Sequence, residues 1–274
     1  MRRAPKARGV AVDAARMDGW VERFAGYREH VSKARIQKWL SQFENHHKDA
    51  AARVLDVVEF FREDHLASAF RSVFGKLSGW SKKSSDRRGQ WRFVGFGSHA
   101  GESGDRMLNT FRRANGLASA RYSNLFIHPS QLLEQNLTAE DTVVFVDDFT
   151  GTGNQAVTAW NESLSELLPA RPRVFLVLAA AASDAVKEIT EKTPMKVEYF
   201  RRLRGTDNFF ASGFTHFTTV EKASILSYCQ RADNVNPKGY CTCGLLLVFS
   251  HRCPNNSIPI LHSTNPAFRG LFPR

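Results

Sequence analysis

The chain has 274 residues, with 38 Lys and Arg against 27 Asp and Glu for a net charge of +11. That length suits one main core plus a smaller module, since a core of about 150–200 residues already buries roughly 70% of its chain surface. No run of about 18 apolar residues occurs, and Met1-Arg-Arg-Ala-Pro-Lys-Ala-Arg8 lacks the apolar stretch of a secretory leader, so neither a membrane partner nor export is expected and the protein is read as cytoplasmic.

Residues 1–90 hold 19 Lys and Arg against 11 Asp and Glu, whereas the remainder holds 19 against 16. A positive field of this kind attracts polyanions, which makes residues 1–90 a candidate surface for nucleic acid or a nucleoprotein partner; a solvated helical face explains the same charge. Residues 1–18 are basic, rich in Ala and Gly, and without a periodic apolar face, so they read as a flexible arm. Residues 19–80 form a helical module, with apolar side chains at helical spacing in Val31, Ile36, Trp39, Leu40 and Phe43 and again in Val54, Leu55, Val58, Phe61 and Leu66. The polar, breaker-rich residues 81–90 read as a linker, flanked by Trp80 and Trp91, which are expected to pack the two modules together.

From 91 to 274 short β-rich runs alternate with helical stretches. Strands are predicted at Trp91–Phe96, Asn124–His128, Val143–Asp147, Val174–Ala180, Lys196–Phe200 and Leu245–Phe249, and helices at Ser103–Ala114, Asn154–Leu168, Ser183–Thr190 and Val220–Ala232. Several strands are apolar throughout, as a parallel sheet covered on both faces requires. An α/β, Rossmann-like, mainly parallel sheet preceded by a helical module is the consistent architecture.

The chemistry concentrates in Val143-Val-Phe-Val-Asp-Asp-Phe-Thr-Gly-Thr-Gly-Asn-Gln155. Two acids, Asp147 and Asp148, stand where an apolar strand emerges at the sheet edge that binds ligands in open α/β folds. Small residues then let successive main-chain N–H groups converge on an anion, and the following helix adds its dipole. Thr150, Gly151, Thr152, Gly153, Asn154 and Gln155 are therefore phosphate-binding candidates, and Asp147 and Asp148 can accept hydrogen bonds from ribose hydroxyls. A Walker A loop would need a Lys that is absent here, and a dinucleotide fingerprint a different glycine spacing. A second turn, Gly97, Ser98, His99, Ala100 and Gly101, follows the first core strand and reads as a supporting phosphate loop. Arg106, Arg112 and Arg113 follow it on a helical stretch, where they read either as neutralisers of a leaving pyrophosphate or, for at least two of them, as surface arginines.

The thirteen-residue stretch resembles the phosphoribosyl pyrophosphate signature of type I phosphoribosyltransferases. The resemblance implies that Asp147 and Asp148 contact ribose, that the loop around Gly151–Gln155 wraps the 5-phosphate, and that Gly97–Gly101 approach the pyrophosphate. It also implies Mg2+ bridged by the ligand, with Asp147 and Asp148 as its candidate protein contacts. Gly151 stands where purine-salvage members carry an acidic general base, which disfavours purine salvage; Thr150 and Gln155 also depart from the preferred aliphatic and hydroxyl residues. More narrowly, Arg35-Ile-Gln-Lys-Trp-Leu-Ser-Gln-Phe43, Cys253-Pro-Asn-Asn-Ser-Ile-Pro-Ile-Leu261 and Leu271-Phe-Pro-Arg274 are similar to PRTase-CE proteins, predicted phosphoribosyltransferases of bacterial conflict systems, some beside retrons; His262 stands where members often have Trp. The implied function is an enzyme transferring, or hydrolysing at, a ribosyl C1 in anti-phage defence. The alternatives are a non-catalytic phosphoribosyl-ligand sensor with a nucleic-acid- or partner-binding helical module, and a degenerate structural subunit.

Cys229, Cys241, Cys243 and Cys253 are expected to stay reduced, and their spacing does not match a zinc knuckle, so no zinc is expected. His46, His47 and His65 read as solvated. The turn at Pro254-Asn-Asn256 is a lesser candidate for an acceptor contact, on the expectation that the last strand ends near the ligand edge.

Overall fold

A computed structural model describes residues 12–97 and 103–274. The chain divides into two units: a terminal unit of Met1–Glu63 with Gly205–Arg274, and a central unit of Asp64–Arg204. The polar stretch 81–90 lies within the central unit, and the divisions fall after Glu63 and after Arg204.

In the terminal unit, helices α1 (Ala14–Arg23), α2 (Lys33–Leu40) and α3 (Lys48–Val57) lead into a short strand β1 (Glu59–Phe61). Asp13 and Ser32 cap α1 and α2, each accepting a main-chain N–H three residues on, which satisfies a donor the helix leaves open. The helices bury their apolar faces against residues far along the chain. Phe24 and Phe272 meet edge-to-face with ring centroids 4.9 Å apart, Phe43 and Phe268 do so at 5.2 Å, and Phe43 lies 4.6 Å from Tyr228.

The central unit begins within α4 (Glu63–Phe74) and holds five strands, β2 (Trp91–Gly95), β3 (Phe126–Ile127), β4 (Thr142–Thr150), β5 (Arg173–Ala182) and β6 (Met195–Leu203). All pair in parallel, in the order β3-β2-β4-β5-β6. Helix α5 (Ser103–Ala114) joins β2 to β3, and α8 (Ser183–Lys192) joins β5 to β6. Between β4 and β5, α6 (Asn154–Ala159) continues through a π turn, Trp160–Leu164, into α7 (Ser165–Leu167). This is the expected α/β, Rossmann-like parallel sheet. One face carries an apolar layer from β4, β5, α6 and α8 that includes Phe145, Leu176, Ala156 and Ile189. The other is aromatic, with Phe93 5.3 Å and Phe74 5.3 Å from Phe111. Trp80 and Trp91 do meet, at 5.3 Å, but inside the central unit, and Arg87 lies 4.4 Å over Trp80, so residues 81–90 pack onto that unit.

Past Arg204 the chain returns to the terminal unit with α9 (Thr219–Ala232), β7 (Leu247–Phe249) and α10 (Pro259–His262). The run Leu245–Phe249 is strand-forming, yet β7 pairs in parallel with β1 and is not a member of the five-stranded sheet. A three-residue partner, Glu59–Phe61, had no alternation long enough to announce it within a helical region. In the turn after β7, Asn256 is buried and its Nδ2 donates to Tyr240 O at 3.3 Å and Cys243 Sγ at 3.2 Å.

Candidate functional site

The site is built from the strand outward. Val143, Val144, Phe145 and Val146 are fully buried in the central strand of the sheet. The strand begins at an anchored turn in which Asp141 accepts from Gln90 N and Thr138 N, both at 2.6 Å. Burial raises the carboxyl pKa of Asp141, but these two main-chain donors and the Thr138 hydroxyl outweigh it and hold the group below its ordinary value.

Pairing of β2 with β4 ends at Gly95↔Val146, whereas pairing of β4 with β5 continues through Asp147↔Leu178 to Thr150↔Ala181. The central strand therefore overshoots β2 by the four residues 147–150, and the acids lie inside an extended strand rather than in a loop after it. Asp147 and Asp148 are 4% and 1% exposed. Strand alternation puts Asp147 in phase with Val143 and Phe145, on the α6–α8 face, and Asp148 in phase with Val144 and Val146, so the pair straddles the carboxyl end of β4. Asp147 Oδ1 accepts the Asp148 main-chain N–H at 2.9 Å.

This end of β4 adjoins the point where the sheet changes winding direction. After β2 the chain moves outward to β3; it then crosses back to β4 and proceeds the other way through β5 and β6. Open α/β sheets bind ligands in the crevice at such a switch point, outside the carboxyl ends of the strands.

Close glycine contacts shape both sides of this strand end. Gly153 has φ +80°, and a Cβ there would come within 2.8 Å of Ala185 O on α8; both conformation and packing demand glycine. It sets the turn in which Asn154 N donates to Thr152 Oγ1 at 3.3 Å before α6 begins. Thr150, Gly151 and Thr152 are half-buried, and Asn154 and Gln155 are exposed, so the turn is accessible along one side. On the β2 side, a Cβ on Gly104 would lie 2.2 Å from Phe96 O and one on Gly95 2.8 Å from Gly104 C. The first turn of α5 thus rides directly on the end of β2. Gly97 is half-buried there; Ser98, His99, Ala100 and Gly101 lie outside the described residues.

Arg112 and Arg113 stand in the last turn of α5, roughly 14 Å along the helix axis from its start at 1.5 Å per residue, which removes them from the loop. Arg112 instead closes the helix, donating to Leu117 O and Ala118 O at 3.1 Å each. Arg106, in the second turn, remains on the loop side and is exposed.

The cysteines do different jobs from one another. Cys229 and Cys253 are fully buried, and burial pushes both thiols up to about 12. Cys241 is exposed, and Cys243 accepts from Asn256. Among the described residues the one group with metal-ligand proximity is Glu44, His46 and His47, on the surface of the terminal unit. No described helix is long and apolar enough to cross a membrane.

No curated protein matches the chain. The PRTase-CE family profile matches residues 36–274, which takes in both units and every feature of the crevice described above. The sheet, its switch point and that match together assign the chain to the PRTase-CE family, a phosphoribosyltransferase-type family.

Proposed function

We propose that the crevice at the carboxyl ends of β2 and β4 binds phosphoribosyl pyrophosphate or a related nucleotide, and that the protein acts at the ribosyl C1. The observation that carries this reading is the coincidence, at one strand end beside the switch point, of two buried carboxylates and a glycine-locked turn opening a helix. Asp147 and Asp148 accept hydrogen bonds from the ribose hydroxyls. The main-chain N–H groups of Gly151–Gln155, with the Thr150 and Thr152 hydroxyls, hold the 5-phosphate, and the resemblance supports Gly97–Gly101 as the residues that contact the pyrophosphate. Carboxylates are the hard oxygen donors that Mg2+ takes, so Asp147 and Asp148 fit the ion's needs. Bound through the ligand, Mg2+ would supply charge neutralisation to a departing pyrophosphate.

In the reaction, the bond from C1 to the pyrophosphate oxygen breaks and a bond to an acceptor or to water forms. Gly151 leaves the loop without the acid that salvage enzymes use near a base, and this favours an acceptor that needs no such general base. The family resemblance supports a role as an effector in bacterial anti-phage defence, in the cytoplasm. The same glycine favours a second reading, a sensor that binds the ligand without turnover while residues 1–90 engage nucleic acid or a partner. Incubation of the full chain with phosphoribosyl pyrophosphate, Mg2+ and a panel of bases separates the two. Pyrophosphate release supports the enzyme; saturable binding without release supports the sensor; neither binding nor release contradicts both.

A further inference from the structure

A cavity of about 890 Å³ lies wholly within the terminal unit, between α2 and the segment 263–273. Ligand pockets span roughly 300–1,000 Å³. Its walls include parts of two stretches that the sequence singled out and the crevice does not use, Arg35–Phe43 and Leu271–Arg274, together with Glu29 and residues between Ser263 and Gly270. Much of the first stretch has a structural task. Ile36, Trp39 and Leu40 are buried, and the Trp39 indole N–H donates to Ile260 O at 2.8 Å. Gln42 clamps the main chain of Arg269, donating to its O at 2.9 Å and accepting from its N at 2.8 Å.

Arg35 and Lys38 are left over. They stand one turn apart on the same side of α2, and with Arg269 they line the cavity. Glu29 pairs with Arg35 at 2.9 Å. Among the described residues, neither the Lys38 ammonium nor the Arg269 guanidinium has a hydrogen-bond or ion-pair partner. Three cations thus face one carboxylate across a cleft that also offers the Thr264 hydroxyl and the ring of Pro266.

We propose that this cavity is a second anion site, taking a phosphate-bearing ligand of nucleotide size. A planar guanidinium and a mobile ammonium lining one cavity suit the several oxygens of a phosphate, and the prolyl and apolar lining offers a surface to a base or sugar. The ligand is a free nucleotide or one nucleotide of a single strand. This inference stands apart from the crevice, which belongs to the other unit.

Fluorescence-detected titration of the full chain with labelled ATP and, separately, with a labelled twelve-residue oligo(dT) tests it. Lys38→Glu/Arg269→Glu is compared with wild type and with Asp147→Asn/Asp148→Asn, each checked for an unchanged melting temperature. Both reversed side chains are exposed, so the fold should tolerate them. Binding of at least one probe, weakened ten-fold or more by the charge reversal and unchanged by the aspartate variant, supports the site. ATP binding identifies a free nucleotide, and oligo(dT) binding alone identifies a strand. Absence of binding by both probes, or equal affinity in the charge-reversed chain, overturns the proposal. Loss of all binding in the aspartate variant alone overturns it equally, by moving the phosphate to the crevice.

Discussion

Asp147 and Asp148 are buried side by side within β4, directly after the apolar run Val143–Val146. Taking two adjacent carboxylates out of water is costly, which sets this pair apart from the apolar run before it. The proposed ribose contact is a task suited to such a pair. Asp147→Asn and Asp148→Asn are each expected to weaken phosphoribosyl pyrophosphate binding by roughly ten- to a hundred-fold while leaving the fold intact, since a hydrogen bond to a charged acceptor contributes about 1.5–3 kcal/mol. Calorimetric titration measures this, and unchanged affinity in both variants would remove the ribose-binding role. Gly153→Ala belongs to a different class. Its positive φ alone costs about 1–2 kcal/mol for a side-chain-bearing residue, and the approach to Ala185 O adds to it. Denaturant unfolding should show that loss together with weaker phosphate binding; a variant as stable as wild type would mean the turn can relax away from α8. The thiols give a third residue-level outcome. An aromatic disulfide reagent should modify Cys241 quickly in the folded chain and reach Cys229 and Cys253 only on unfolding, because both are buried with pKa values raised to about 12. Rapid modification of all four in the native protein would contradict the packing.

Elements differ in how far their sequence announces them. Strand β4 and the helix after it are legible because a continuous apolar run, two acids and a glycine turn follow in order, each excluding another structure. What stayed hidden is the extension of β4 through Asp148–Thr150, because it depends on the length of β5 beside it rather than on β4's own residues. The pairing of β1 with β7 was hidden for the same reason: three residues, Glu59–Phe61, carry no period, and their partner lies far along the chain. Arg112 looked like a phosphate ligand by charge, but its position in the last turn of α5 decided its task. The short helix α10 carries an element-level prediction. His262 is buried, donating its Nε2–H to Ser257 O at 3.1 Å, and burial holds its pKa down at about 4. An unfolded His titrates near 6.5, so between about pH 6.5 and 4 the unfolded chain binds the extra proton and stability falls as pH falls. At pH 5 the loss from this one group is about 2 kcal/mol. His262→Gln should flatten that limb of the unfolding profile; an equally steep loss in the variant would assign the acid sensitivity elsewhere.

At the scale of the whole molecule, the terminal unit is assembled from both ends of the chain, and its core joins Trp20, Phe24 and Trp39 to Phe268, Leu271 and Phe272. Truncation after Arg204 should therefore unfold α1–α3, seen as loss of protection for their amides in hydrogen exchange, while β2–β6 stay protected. Retained protection in α1–α3 would show that the N-terminal helices form a core unaided. The account as a whole rests on the crevice beside β4. A crystal structure of the full chain soaked with phosphoribosyl pyrophosphate and Mg2+ tests it most directly. The predicted result is a 5-phosphate against the main-chain N–H groups of Gly151–Gln155, with the ribose hydroxyls within hydrogen-bonding distance of Asp147 and Asp148. Density for the ligand anywhere else, with the two carboxylates untouched, would contradict it.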